Sequence, residues 1–160
     1  MGVPMWNERG EVLRLLVIED DNQRIRKIWE WLPADFHANF VKNGGRALGV
    51  ITRDGPWRGR RDEPAYAGIM LDFDLNMQSA LASDLDLSGK SVVLALLRYM
   101  RRDIPILVHS MNPAGAPLMV NQLKDAGFDV IRIPWSDLEQ PDFVQWLDEV
   151  LENWRDNWNC

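Results

Sequence analysis

Leu13-Arg14-Leu15-Leu16-Val17-Ile18-Glu19-Asp20-Asp21 is an apolar run that ends on three consecutive acids. A short run rich in branched aliphatic residues reads as a buried strand, and the acids place charge at its carboxyl end. Two further runs end in the same way: Gly68-Ile69-Met70-Leu71-Asp72, with Asp74 just beyond, and Ile104-Pro105-Ile106-Leu107-Val108-His109-Ser110. In an open parallel α/β sheet, ligands bind outside the carboxyl ends of the strands, where strand order reverses. The three runs therefore sketch one acidic crevice suited to a metal ion.

Between these runs the spacing becomes helical. Asp21 or Asn22 caps a helix carrying Ile25, Ile28, Trp29 and Leu32 on one face, and Pro33 stops it. Phe36 to Lys42 reads as a second strand, and Asn43-Gly44-Gly45 turns the chain into a helix with Ala47, Leu48 and Ile51. The third strand is Tyr66 to Leu71. A polar, acidic loop from Asn76 to Ser88 leads to a helix that begins at Gly89 and packs Val92, Val93, Leu96, Leu97 and Met100. Arg98, Arg101 and Arg102 crowd its carboxyl end, where they suit the helix dipole.

Strand four is Ile104 to Val108. Asn112 as cap and Pro113 in the first turn open a fourth helix with Leu118, Val120, Leu123 and Ala126, which Gly127 ends. Val130 to Ile133 is strand five. Pro141 opens the last helix, with Phe143, Trp146, Leu147, Val150, Leu151 and Trp154 on one face and Trp158 a turn later. Five strands alternating with five helices over short connections imply an α/β fold: a doubly wound, five-stranded parallel sheet with helices on both faces. The flavodoxin-like order 2-1-3-4-5 is the expected topology, with residues 1–10 as an N-terminal tail and 11–160 as one domain.

The 160 residues, 46% of them hydrophobic and eight of them Trp, suffice for one core and leave no room for a second domain. A net charge of −6 disfavours general nucleic-acid binding, which rests on Lys and Arg neutralising phosphates. Arg53, Arg58, Arg60 and Arg61 make a local basic segment, but Asp54, Asp62 and Glu63 dilute it and a solvated loop accounts for it. No apolar stretch reaches the roughly 20 residues that span a bilayer, and Met1 to Gly10 lacks a signal-peptide core, so a cytoplasmic protein is expected. The single cysteine, Cys160, excludes an internal disulfide framework and a cysteine-rich metal site.

In the expected topology strands one and three are neighbours, and Glu19, Asp20, Asp72 and Asp74 converge. Clustered carboxylates raise one another's pKa unless a cation offsets them, and Mg2+ (or Mn2+) takes hard oxygen ligands of this kind. Asp21 reads better as the helix cap. Asp72 ends the most apolar strand with no helix directly after it, which points to function. His109 is suited to donating a hydrogen bond to a phosphate or to acid–base work, and Ser110 to bonding a phosphate oxygen. Backbone hydrogen bonding or capping would explain either residue alone; their position beside the acids is what makes them candidates.

Taken together, these landmarks resemble the receiver domain of bacterial two-component response regulators, the CheY-like fold, over about Leu13 to Trp154. The resemblance places Glu19 and Asp20 as the metal-binding acidic pair and Asp72 as the phosphoacceptor and a metal ligand. It places the Asp74 backbone carbonyl as the third protein ligand and Ser110 as the residue ending strand four. Gly89 and Ala126-Gly127 strengthen the register. Two features depart from that pattern. Receivers carry a lysine just before the proline after strand five, whereas Ile133 precedes Pro134 and Arg132 lies on the opposite side of the strand. Val130 stands where an aromatic switch residue is expected.

A narrower resemblance, to the cyclic-phosphate-processing receivers, rests on Val108-His109-Ser110-Met111-Asn112-Pro113 with Gly115 and Met119, and on Val130-Ile131-Arg132-Ile133-Pro134-Trp135. It implies a metal-dependent phosphoesterase-like site. In it Asp72, His109 and Ser110 are catalytic, and Ser110, Asn112 and the amides after it bind phosphate. That group commonly has a histidine where this chain has Phe73, which leaves His109 with the metal as the acid–base pair. The alternatives are a phosphoacceptor receiver and a degenerate receiver acting as an interaction module. The implied partners are a phosphate-bearing small molecule, RNA ends included, or a partner kinase. The Trp-rich ending, Trp146, Trp154 and Trp158, offers a surface for a homodimer or another protein.

Overall fold

Strand alternation divides the core between two faces, because successive side chains of a strand point to opposite sides of the sheet. A computed structural model describes residues 12–56, 65–73 and 89–158. Its strands are β1 (Leu13–Ile18), β2 (Phe36–Val41), β3 (Gly68–Leu71), β4 (Ile106–Val108) and β5 (Val130–Arg132). All neighbouring pairs are parallel, as the alternation predicts, and the order is the expected flavodoxin-like β2-β1-β3-β4-β5. The helices are α1 (Asn22–Trp31), α2 (Gly44–Asp54), α3 (Gly89–Tyr99), α4 (Gly115–Asp125) and α5 (Gln140–Trp158).

On one face Leu16, Ile18, Ile69, Leu71, Ile106, Val108 and Val130 meet Ala47 and Ile51 of α2, Val92, Val93 and Leu96 of α3, and Met119 and Leu123 of α4. On the other, Leu13, Leu15, Val17, Met70 and Leu107 meet Ile28 of α1 and Phe143, Trp146, Leu147, Val150 and Trp154 of α5. Trp146 and Trp154 are thus core residues, and the side chain of Trp158 lies outside the described residues.

Several element ends differ from the sequence reading. β4 begins after Pro105, which has no N–H for the ladder but whose carbonyl accepts from Ile69 N at 3.0 Å. Asn112 is not the helix cap expected of it: α4 starts only at Gly115 with Ala114 in the cap position, Pro113 lies in the preceding turn, and Asn112 Oδ1 instead closes that turn, accepting from Ala114 N at 3.0 Å and Gly115 N at 2.7 Å. Trp29 and Leu118, expected on packed helix faces, are 67% and 61% exposed, whereas Ile28 of α1 and Met119 and Leu123 of α4 are the residues turned into the core. Gly127 ends α4 as expected: its φ of +102° suits glycine, and the Gly127 and Phe128 amides return to Lys124 O and Leu123 O. Arg102 closes α3, donating to Leu97 O and Met100 O from its guanidinium. The N-terminal tail, Arg58, Arg60, Arg61, Asp74, the Asn76 to Ser88 loop and Cys160 lie outside the described residues.

Candidate functional site

The register brings the three strand ends together. Ile18 lies beside Leu71, and Leu71 beside Val108, so the residues that follow, Glu19, Asp72 and His109, emerge at one edge. Backbone bonds continue the ladders one step further, Asp72 N to Ile18 O at 3.0 Å and His109 N to Leu71 O at 3.2 Å. Glu19, Asp20, Asp72, His109 and Ser110 are the polar or charged residues buried here. One ligand atom each from Glu19, Asp72 and His109 lies within 4.8 Å of the others.

Glu19 is fully engaged. Its Oε2 accepts from Asp20 N at 2.9 Å and Asp21 N at 3.0 Å, and its Oε1 lies 2.9 Å from His109 Nε2. Burial by itself would push this carboxyl up; the hydrogen bond and charge of His109, the Asp21 amide and Arg24 outweigh it and hold it well below the usual range. A carboxylate has only acceptors to offer, so His109 Nε2 carries the hydrogen in this contact. The other ring nitrogen, Nδ1, is buried with no partner. Asp20 behaves in the opposite sense: burial, then the neighbouring Glu19 charge, push it up to about 6, and its Oδ2 is buried with no partner.

Around this cluster the first turn of α1 and the segment after β5 supply what the sequence reading missed. Asp21 Oδ1 accepts from Gln23 N and Arg24 N, the cap expected of it, and so directs Arg24 toward the crevice. Arg24 Nη1 lies 3.5 Å from Glu19 Oε1 and 3.7 Å from Asp72 Oδ2, with its guanidinium 5.6 Å from the Trp135 ring centroid. Trp135 also meets the His109 ring edge-on at 6.1 Å and stacks on Trp31 at 5.8 Å. Arg24 thus brings a cation to these acids from α1. Its only local signal is its place three residues after the cap. Arg132 reaches the same edge through Nη2, which donates to Ser110 O at 3.2 Å.

Ser110 Oγ accepts from Asn112 N at 3.1 Å and retains its own hydrogen for another acceptor. Asn112 Oδ1 and the Ala114 and Gly115 amides are occupied with one another in the turn before α4. Phe73, next to Asp72, packs against Gly115 so closely that a Cβ there would stand 2.6 Å from its ring. A metal fits this edge: Glu19, Asp20 and Asp72 offer oxygen donors, and the orphaned Asp20 Oδ2 is a buried acceptor whose unmet valence a cation would satisfy.

No family model and no curated protein matches the sequence. Solved structures do. The receiver domain of a sensor histidine kinase from Pseudomonas aeruginosa, with magnesium coordinated in its active-site cleft, is 17% identical at a TM-score of 0.60, over 88% of this chain and 98% of that one. A CheY-like receiver from Methanospirillum hungatei matches at 14% identity and 0.62, over 92% and 100%. The non-phosphorylated HemR receiver domain of Leptospira biflexa matches at 20% and 0.59, over 86% and 93%. The likeness is one of fold: this chain has the five-stranded receiver fold.

Proposed function

We propose that this chain is a receiver-like module that binds Mg2+ or Mn2+ in the crevice and accepts a phosphoryl group on Asp72 in a signalling relay. The observation that carries the reading is that Glu19 and Asp72, both buried, bring ligand atoms within 4.8 Å of each other, while the next residue in the chain after Glu19, Asp20, is buried with one oxygen unpartnered. These three acids would hold the metal, which when bound supplies charge stabilisation for the transferring phosphoryl group. An Asp72 oxygen attacks phosphorus of an acyl phosphate or a partner kinase's phosphohistidine. The bond from phosphorus to the donor breaks, and the donor leaves with the electron pair. Ser110 Oγ is placed to donate to a phosphoryl oxygen.

His109 serves as a positioning residue in this reading. It is wholly buried, and its Nε2 is committed to Glu19, which orients that carboxylate. The cyclic-phosphate reading would instead need His109 as a free acid or base, and the Asn112 loop as a phosphate cradle whose amides are already bonded. Incubation with Mg2+ and acetyl phosphate, followed by intact mass, tests the proposal. One phosphoryl increment in the wild type and none in Asp72→Asn is the expected result. An unlabelled wild type that turns over 2′,3′-cyclic nucleotides in a His109-dependent manner would replace it.

A further inference from the structure

We infer that Arg24 is the anion-binding residue of this crevice: its guanidinium, parked against the acids, recognises the phosphoryl oxygens of a ligand at Asp72. The inference rests on the phosphoacceptor reading of Asp72 and adds a residue that no strand end supplies. Three observations carry it. Arg24 Nη1 is at ion-pair rather than hydrogen-bond distance from both Glu19 and Asp72, 3.5 and 3.7 Å, so its donors are loosely engaged. The side chain is 24% exposed where those of Glu19 and Asp72 are 0% and 4%, which sets the guanidinium between the buried acids and solvent. Trp135 lies beneath it, fixing its plane by a cation–aromatic contact without using any of its N–H groups.

The surroundings agree. Arg24 and Trp135 border a cleft of about 480 Å³ lined also by Arg26, Lys27, Gln23, Asp21 and Glu30, so three cations, Arg24 among them, face two acids in an otherwise acidic protein. A divalent cation on the carboxylates competes with Arg24 for the same charge. Once those acids are neutralised, the planar fork of guanidinium donors is free to match phosphate oxygens. The same residue thus weakens metal binding slightly and strengthens anion binding, an opposition that a residue with a merely structural role would lack.

Beryllofluoride and Mg2+ titrations followed by Trp fluorescence, with circular dichroism to verify folding, test this in the full chain. For Arg24→Gln, which keeps the stem on Trp135, beryllofluoride affinity at saturating Mg2+ falls roughly tenfold or more, while Mg2+ affinity alone is unchanged or tighter. Arg24→Lys, which keeps the charge but loses the fork, falls between and decides the matter should the glutamine variant misfold. Wild-type anion affinity in both variants, or a parallel fall in Mg2+ and anion affinity, overturns the role of Arg24 alone. A wild type that binds Mg2+ but no beryllofluoride overturns the phosphoacceptor reading and this role with it.

Discussion

At the amino end of the sheet, Tyr66 donates its hydroxyl hydrogen to Asp54 Oδ2 at 2.8 Å and accepts from Asn39 Nδ2 at 3.0 Å, while Arg53 holds both Asp54 oxygens. At the carboxyl end, Asp20 Oδ2, His109 Nδ1 and Arg132 Nε are buried without partners, three of the four such side-chain atoms among the described residues. Both clusters place polar groups among apolar strands, but one is closed and the other open. The closed cluster holds its acid low: the Arg53 hydrogen bond keeps Asp54 below its ordinary value against the effect of partial burial. The open cluster drives its two adjacent acids apart, Glu19 down and Asp20 up. Unmet valence and divergent acids at the same edge are what make this edge, and not the other, the candidate site.

Perturbing the open end should therefore change ligand handling as well as stability, and perturbing the closed end stability alone. The largest effect is expected from Asp72→Asn: complete loss of phosphoryl labelling by intact mass, with the fold intact by circular dichroism. His109→Ala leaves the Glu19 carboxylate buried without its main partner and opens a cavity. A loss of about 3 kcal/mol in urea unfolding is expected, together with weaker Mg2+ binding, since Glu19 is then free to rotate.

A pH profile of the metal-free protein separates the two acids. Asp20 has a folded pKa of about 6 against 3.8 for the free group, so between these values the native state binds more protons than the unfolded chain. Its contribution is present below 3.8 and is lost as pH rises through about 6, a decline on the order of 2–3 kcal/mol. Glu19 runs the other way, its contribution being present above the ordinary carboxylate value and lost as pH falls below it. Chemical denaturation across pH 3.8 to about 6 should show the decline in the wild type and its loss in Asp20→Asn. Saturating Mg2+ should flatten it as well, by favouring ionised Asp20. A profile unaltered in that variant would contradict the assignment.

The smallest effect belongs to the closed end. Tyr66→Phe removes the donor to Asp54 and the acceptor for Asn39, and about 1 kcal/mol of stability should go with them. Mg2+ affinity by Trp fluorescence should stay at the wild-type value. A change there would mean that the two ends of the sheet are coupled.

Much of this comparison was legible in the chain itself. Alternating aliphatic runs and helical spacing marked all five strands and five helices, and the acids after Ile18 and Leu71 marked the crevice. Asp21 as cap and Gly127 as stop followed from the same local patterns, and the order 2-1-3-4-5 from choosing the flavodoxin-like topology among the few that right-handed crossovers allow. Trp29 and Leu118 misled because helical periodicity reports a face without saying how wide a neighbour covers it. Arg132 lies on the opposite side of the strand from Ile133 by alternation, and its side chain is long enough to reach Ser110 O.

Which groups are joined inside the crevice was decided by tertiary structure alone. His109 and Glu19 are ninety residues apart in sequence, and only the parallel register of β1, β3 and β4 places their side chains 2.9 Å from each other. Arg24 and Trp135 come from segments beyond different strands and meet beside the buried acids because α1 and the chain after β5 flank the same edge. The sequence by itself determined which elements form and where charge ends them, since burial periodicity and terminal polarity are local properties. Partner choice among those charges depends on distances across the sheet, which no local pattern encodes.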